Sequence, residues 1–98
     1  MSRPAPSTPL DLGPELTIAH AAGHRERLLL ALADADGGLQ LDLAEVSDCD
    51  SSGVQLLLAT QLSLQARGQT LALLRPSTAV LQALATFGLA GHWAAPQP

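Results

Sequence analysis

Residues 39–54 read Leu39-Gln40-Leu41-Asp42-Leu43-Ala44-Glu45-Val46-Ser47-Asp48-Cys49-Asp50-Ser51-Ser52-Gly53-Val54. Leu39, Leu41 and Leu43 alternate with Gln40 and Asp42, the period of a half-buried strand. From Ser51 the pattern changes, and Ser-Ser-Gly leads into Val54-Gln55-Leu56-Leu57-Leu58-Ala59, an apolar helical run. Acids and two hydroxyls therefore fall where a strand ends and a helix begins. The first turn of a helix leaves backbone N–H groups without partners and carries partial positive charge. A serine placed there can cap the helix, bind an anion or carry a phosphate. Function turns on which of these Ser51 does.

Downstream, Val54, Leu57, Leu58 and Leu62 share one helical stripe, expected to face the core. The opposite stripe is Leu56, Thr60, Ser63 and Arg67, which leaves Leu56 as an exposed leucine one turn into the helix and a candidate partner contact. Arg67-Gly68 closes the helix with a cation in its last turn and a glycine at the C-cap. Thr70 to Leu74 reads as a short apolar strand. Pro76 and Ser77 open a further helix that carries Val80, Leu81 and Leu84 and ends at Gly88.

Upstream, Met1 to Pro9 hold three prolines and are expected to form a flexible proline-rich leader. Leu10 to Leu12 make a short first strand before the Gly13-Pro14 turn. Leu16 and Ile18, alternating with Thr17, predict a brief second strand. From His20 or Ala21, the spacing of Leu28, Leu29 and Leu32, with His24 or Arg25 a turn earlier, predicts a helix ending near Asp34. Gly37-Gly38 then turns the chain. Strand and helix alternate throughout, which predicts an α/β fold: one domain with a small mixed β-sheet and α-helices packed against it.

Composition narrows the function classes. With 98 residues, 47% of them hydrophobic and 14% charged, the chain has the material for one core and is too apolar for disorder. It has one Phe, one Trp and no Tyr, so a base-stacking platform is excluded. A net charge of −4, with five arginines and no lysine, argues against a nucleic-acid partner. The single Cys49 leaves no internal disulfide and fits a reducing compartment. No apolar run has the length of a membrane span, and the polar start does not resemble a signal peptide, so the expected location is the cytoplasm without membrane insertion.

Other constellations carry less. Asp42, Glu45, Asp48 and Asp50 lie within nine positions. Their spacing matches no calcium loop, which leaves a solvated acidic loop or part of a surface that prefers a basic counterpart. His20 and His24 have the spacing of a zinc pair, but Ala21-Ala22 follow where a metalloprotease helix has an acid. No metal and no cofactor is expected. Cys49 has no neighbouring base or cation in sequence and reads as a small filler. No nucleophile–base pair or phosphate loop can be traced, so the chain is expected not to be an enzyme.

Taken in order, several features resemble the STAS domains, named for sulfate transporters and anti-sigma-factor antagonists. They are Leu16-Thr17-Ile18 ahead of the first helix, the strand Leu39 to Leu43, the Asp-Ser-Ser-Gly-Val signature at Asp50 to Val54, Gly68 before a strand, and Phe87-Gly88-Leu89. The resemblance implies a STAS domain over residues 10–95. In the stand-alone bacterial members the serine after the aspartate is phosphorylated by an anti-sigma kinase, and the unphosphorylated form binds that kinase and frees the sigma factor. Carried over, the phospho-acceptor is Ser51, with Ser52 as second candidate. Asp50, Ser51, Ser52, Gly53 and Leu56 are then the partner-binding set. The first strand here is short, and the compact start is similar to small STAS subunits bound to bacterial lipid-transport ABC ATPases and to STAS proteins encoded beside chemotaxis genes. In the transporter subunits, the helix that begins at this motif docks on the ATPase. The implied partner is therefore an anti-sigma factor of the serine-kinase type or a transporter ATPase.

Overall fold

The computed structural model describes residues 9–34 and 37–93. The leader expected over residues 1–9 lies almost wholly outside them. The described elements are β1 (Leu10–Asp11), β2 (Glu15–Leu16), a 3-10 turn (Ile18–His20), α1 (Ala21–Asp34), β3 (Gly38–Asp42), β4 (Asp48–Cys49), α2 (Ser51–Gln65), β5 (Thr70–Leu74) and α3 (Thr78–Thr86).

β3 forms the centre of a three-stranded sheet in the order β1-β3-β5, and β2 pairs with β4 beside it. Every one of these pairings is parallel, with Leu10 opposite Leu41, Leu39 opposite Leu71 and Leu41 opposite Leu73. The expected mixed sheet is thus corrected among the described residues. The physical reason is the connections: a helix carries the chain back between β1 and β3 and again between β3 and β5, and such crossovers return a strand in the same direction. Leu39, Leu41, Leu71 and Leu73 point to the buried face as the alternation requires. Against it α2 packs on β5, with α1 and α3 as its neighbours. Leu28 of α1, Leu57 and Leu64 of α2, and Val80 and Leu84 of α3 complete the core.

Both C-terminal glycines close their helices as expected. Gly68 and Gly88 have φ of 70° and 73°, the left-handed region that favours glycine. In each case two amides return to the last turn: Gly68 N–H to Gln65 at 3.0 Å and Gln69 N–H to Leu64 at 2.8 Å, Gly88 N–H to Ala85 at 3.0 Å and Leu89 N–H to Leu84 at 2.7 Å. This is the paired bonding of a Schellman cap.

The stripe expected on α2 is rotated. Gly53, Val54, Leu57, Thr60 and Leu64 are its buried residues, and Leu62 is 64% exposed. Thr60 enters the interior because its hydroxyl donates to the Leu56 carbonyl one turn back, at 2.7 Å. With that group satisfied, the helix turns its Gly53–Leu64 side inward and carries Leu62 out. Leu29 and Leu81, expected on the inner faces of α1 and α3, are likewise half exposed, while His24 and Leu28 of α1 and Val80, Ala83 and Leu84 of α3 are buried. The rotation makes a direct test. Leu64→Ala is expected to cost about 2–5 kcal/mol of stability, the range for emptying a leucine site in a core. Leu62→Ala should stay within about 0.5 kcal/mol of wild type. Urea denaturation of both variants checks this, and equal losses would contradict the assignment.

Candidate functional site

The junction between β4 and α2 is built from the chain outward. Asp48 and Cys49 pair with Glu15 and Leu16. The alternation of apolar residues does not predict this strand, since two residues, one of them an acid, present no periodicity to detect. Pro14 strengthens the pairing by accepting from the Ser47 and Asp48 amides at 2.8 and 3.2 Å. Beyond it, the Asp50 amide donates to the Leu16 carbonyl at 3.2 Å.

Asp50, not Ser51, is the N-cap of α2. One carboxylate oxygen accepts from the Gly53 amide at 3.2 Å, and the other from the Ile18 amide at 3.0 Å. The N–H of Ile18, then those of Gly53 and Ser52, hold its carboxyl below the ordinary carboxylate range. Gly53 is buried against Leu16. A side chain there would place its Cβ 2.2 Å from the Leu16 carbonyl oxygen and 2.7 Å from the Leu16 Cγ, so only glycine lets the helix come this close.

The five residues expected at the site therefore divide. Asp50 and Gly53 build the frame, and Ser52 is half buried at the second helical position. Ser51 occupies the first helical position, is exposed, and has no part in the cap. The exposure expected of Leu56 is corrected: it is half buried, packs on the core, and lines a 180 Å³ cleft between α1 and α2 together with Leu28, Leu29 and Leu32. It faces α1 because the stripe it shares with Thr60 is turned inward. The exposed stripe that begins at Ser51 runs instead through Gln55, Ala59 and Leu62, while Leu58 stays half buried against the core.

Ile18 is a second correction. The strand ends at Leu16, a tight turn follows with the His20 amide bonded to Thr17 at 3.0 Å, and Ile18 is 71% exposed. An alternating Leu-Thr-Ile triplet gives no warning of this, because the bond that captures Ile18 comes from Asp50, thirty-two residues away.

The acidic set does not act as a unit. Asp42 is paired with Arg75, whose hydrogen bond, followed by that of the Ala44 amide, lowers its pKa. Asp50 is engaged as described, while Asp48 and Glu45 are exposed. Burial pushes the half-buried Cys49 thiol up to about 11, with the charges of Asp50 and Asp48 adding to the effect. Such a thiol stays protonated at neutral pH and is a poor nucleophile. His24 is buried with its Nε2 at 2.6 Å from the Glu15 carbonyl, while His20 lies 3.2 Å from the Glu15 carboxylate. No group of three or more metal-ligating side chains converges among the described residues.

Fold and junction together define a small α/β domain that presents an exposed serine at the start of its central helix. A family model described as "Mlab, STAS domain" matches residues 2–94, and the chain belongs to the STAS domain family. No curated protein and no solved structure matches it. STAS domains are generally non-enzymatic interaction modules, and a protein-interaction role is the general function that membership supports. No helix among the described residues is long and apolar enough to cross a membrane.

The cap sets a pH dependence. A carboxyl whose folded pKa lies below its unfolded value, about 4, stabilises the fold above that value, and the contribution disappears as pH falls through the folded pKa. Asn at position 50 has one acceptor oxygen and turns an NH2 toward one of the two N–H donors. Asp50→Asn is therefore expected to melt several degrees below wild type at pH 7, with the gap closing as pH drops below about 4. Thermal melts across pH 3–7 check this, and a gap that stays constant would contradict it.

Proposed function

We propose that this protein is a cytoplasmic, non-enzymatic docking module whose binding is switched by phosphate on Ser51, in the manner of an anti-sigma-factor antagonist. The observation that carries the reading is the division of labour at the helix start. Asp50 supplies the cap, so the Ser51 hydroxyl is exposed and free of a structural task. The partner is a serine-kinase-type anti-sigma factor. Ser52, half buried, is the poorer acceptor.

Charge explains how phosphate would act. It adds about −1.5 to −2 charges at neutral pH. In the free protein, the positive end of α2 favours that charge by roughly 0.3–1 kcal/mol when exposed. Asp48 and Asp50 oppose it, and salt screens exposed charges over about 8–10 Å. The two effects are of similar size, so folding should barely respond. A docked partner excludes the screening water and meets the phosphate beside existing acids, where like-charge contact costs several kcal/mol.

A second reading is favoured by a separate observation. Neither α2 nor α3 contains a charged residue, although Ser51, Gln55, Ala59, Leu62, Ser63 and Gln65 of α2 are all exposed. Charge depletion of this kind is characteristic of the centre of a protein interface. It fits a constitutive subunit seated on the ATPase of a lipid-transport system, with no turnover of phosphate.

Binding measured with the purified kinase or ATPase encoded beside this chain separates the two. Ser51→Asp should melt within a few degrees of wild type and bind the kinase at least about tenfold more weakly, well within what like-charge contact can impose. Ser51→Ala should bind normally and fail to be phosphorylated. If Ser51→Asp binds as tightly as wild type and the ATPase is retained after phosphatase treatment, the constitutive reading replaces the switch.

A further inference from the structure

The switch reading leaves Ile18 unexplained. It is a large apolar side chain, 71% exposed, on a turn whose backbone is held by Asp50, the residue immediately before Ser51. An exposed aliphatic residue alone is ordinary. This one is presented rigidly: its amide is bonded to the Asp50 carboxylate at 3.0 Å, and the turn is closed by the His20–Thr17 bond. The surface around it is acidic, since Glu15 and Asp48 stand in register on the β2–β4 pair and both are exposed. His20, at 3.2 Å, offsets Glu15 only when protonated.

We propose that the Ile18 turn is the second contact element of the Ser51 surface, inserting into an apolar pocket with a basic rim on the partner protein, and that Asp50 couples the two elements. This rests on the phospho-switch reading of Ser51. The rim follows from charge complementarity: a partner that docks on Ile18 approaches the exposed Glu15 and Asp48, and cations on its rim turn that approach into attraction.

The coupling follows from the donors at the helix start. A phosphate on the first helical residue competes for the amides of that turn, among them the Gly53 N–H that now holds one oxygen of the Asp50 carboxylate. A phosphate next to a carboxylate also disfavours the ionised carboxylate. Both effects loosen Asp50 from its partners. The Ile18 side chain has little packing of its own, so its backbone loses the tether to Asp50 when Ser51 is modified. Phosphorylation thereby weakens docking twice, by adding charge at one contact and by freeing the other.

The Ile18 amide proton reports this without any partner. Its chemical shift should be compared in wild type, in Asp50→Ala, and in protein carrying phosphoserine at position 51. An amide donating to a carboxylate resonates downfield, so Asp50→Ala marks the released position. The phosphoserine form should move more than half of the way toward it, while the Leu41 and Leu73 amides in the sheet stay in place. A phosphoserine form whose Ile18 amide remains at the wild-type position overturns the coupling. If Asp50→Ala does not fold, loss of the wild-type pH titration of the Ile18 amide in the phosphoserine form is the equivalent result, and its persistence overturns the coupling. Ile18→Ala should weaken binding of the purified anti-sigma kinase at least about fivefold with the melt unchanged, as expected of an apolar interface anchor. Undiminished binding removes Ile18 from the interface. A kinase indifferent to Ser51 phosphate, with the Ile18 shift intact, refutes the switch reading alone.

Discussion

Both oxygens of the Asp50 carboxylate are engaged by backbone amides, one from the first turn of α2 and one from the turn that opens at Ile18. That pair of bonds, with Gly53 lying against the Leu16 backbone, sets where the central helix begins and how close it comes to the β2–β4 edge. Much follows from this placement. The Gly53, Leu57 and Leu64 side of α2 is directed into the core, and the helix reaches β5 and both neighbouring helices. Because a carboxylate makes the cap, the serine after it is carried to the surface.

The distribution of charge continues the same division. All nine acids lie at or before Asp50, while the helices after it hold none. At the junction the exposed Glu15 and Asp48 of the β2–β4 pair precede a helix without charge. A partner that spans the junction meets both kinds of surface, and Ser51 stands on the line between them. Adding charge at that line turns neutral ground into acidic ground. This is why a modification of one exposed hydroxyl is expected to affect association far more than folding.

Much of this was legible in the residues. The Leu39–Leu43 alternation, the Thr70–Leu74 strand, and the stops at Gly68 and Gly88 are local signals, and the structure matches them. Features set by distant partners were not. β4 exists because Pro14 and Leu16 offer carbonyls to residues more than thirty positions away. Ile18 leaves its strand for Asp50. Thr60 looks like a surface residue until its bond to Leu56 makes it buriable, and that shift decides the roles of Leu56, Leu62 and Leu64. The Asp-Ser-Ser-Gly signature was legible as a strand-to-helix junction, but the assignment of cap to aspartate and of free hydroxyl to serine required the geometry.

The most direct test of the central claim is site-resolved mass spectrometry of the protein isolated from its own cells under varied growth conditions. The account predicts phosphate on Ser51, in a fraction that changes with conditions. An unmodified Ser51 in every condition, or phosphate confined to Ser52, would contradict it.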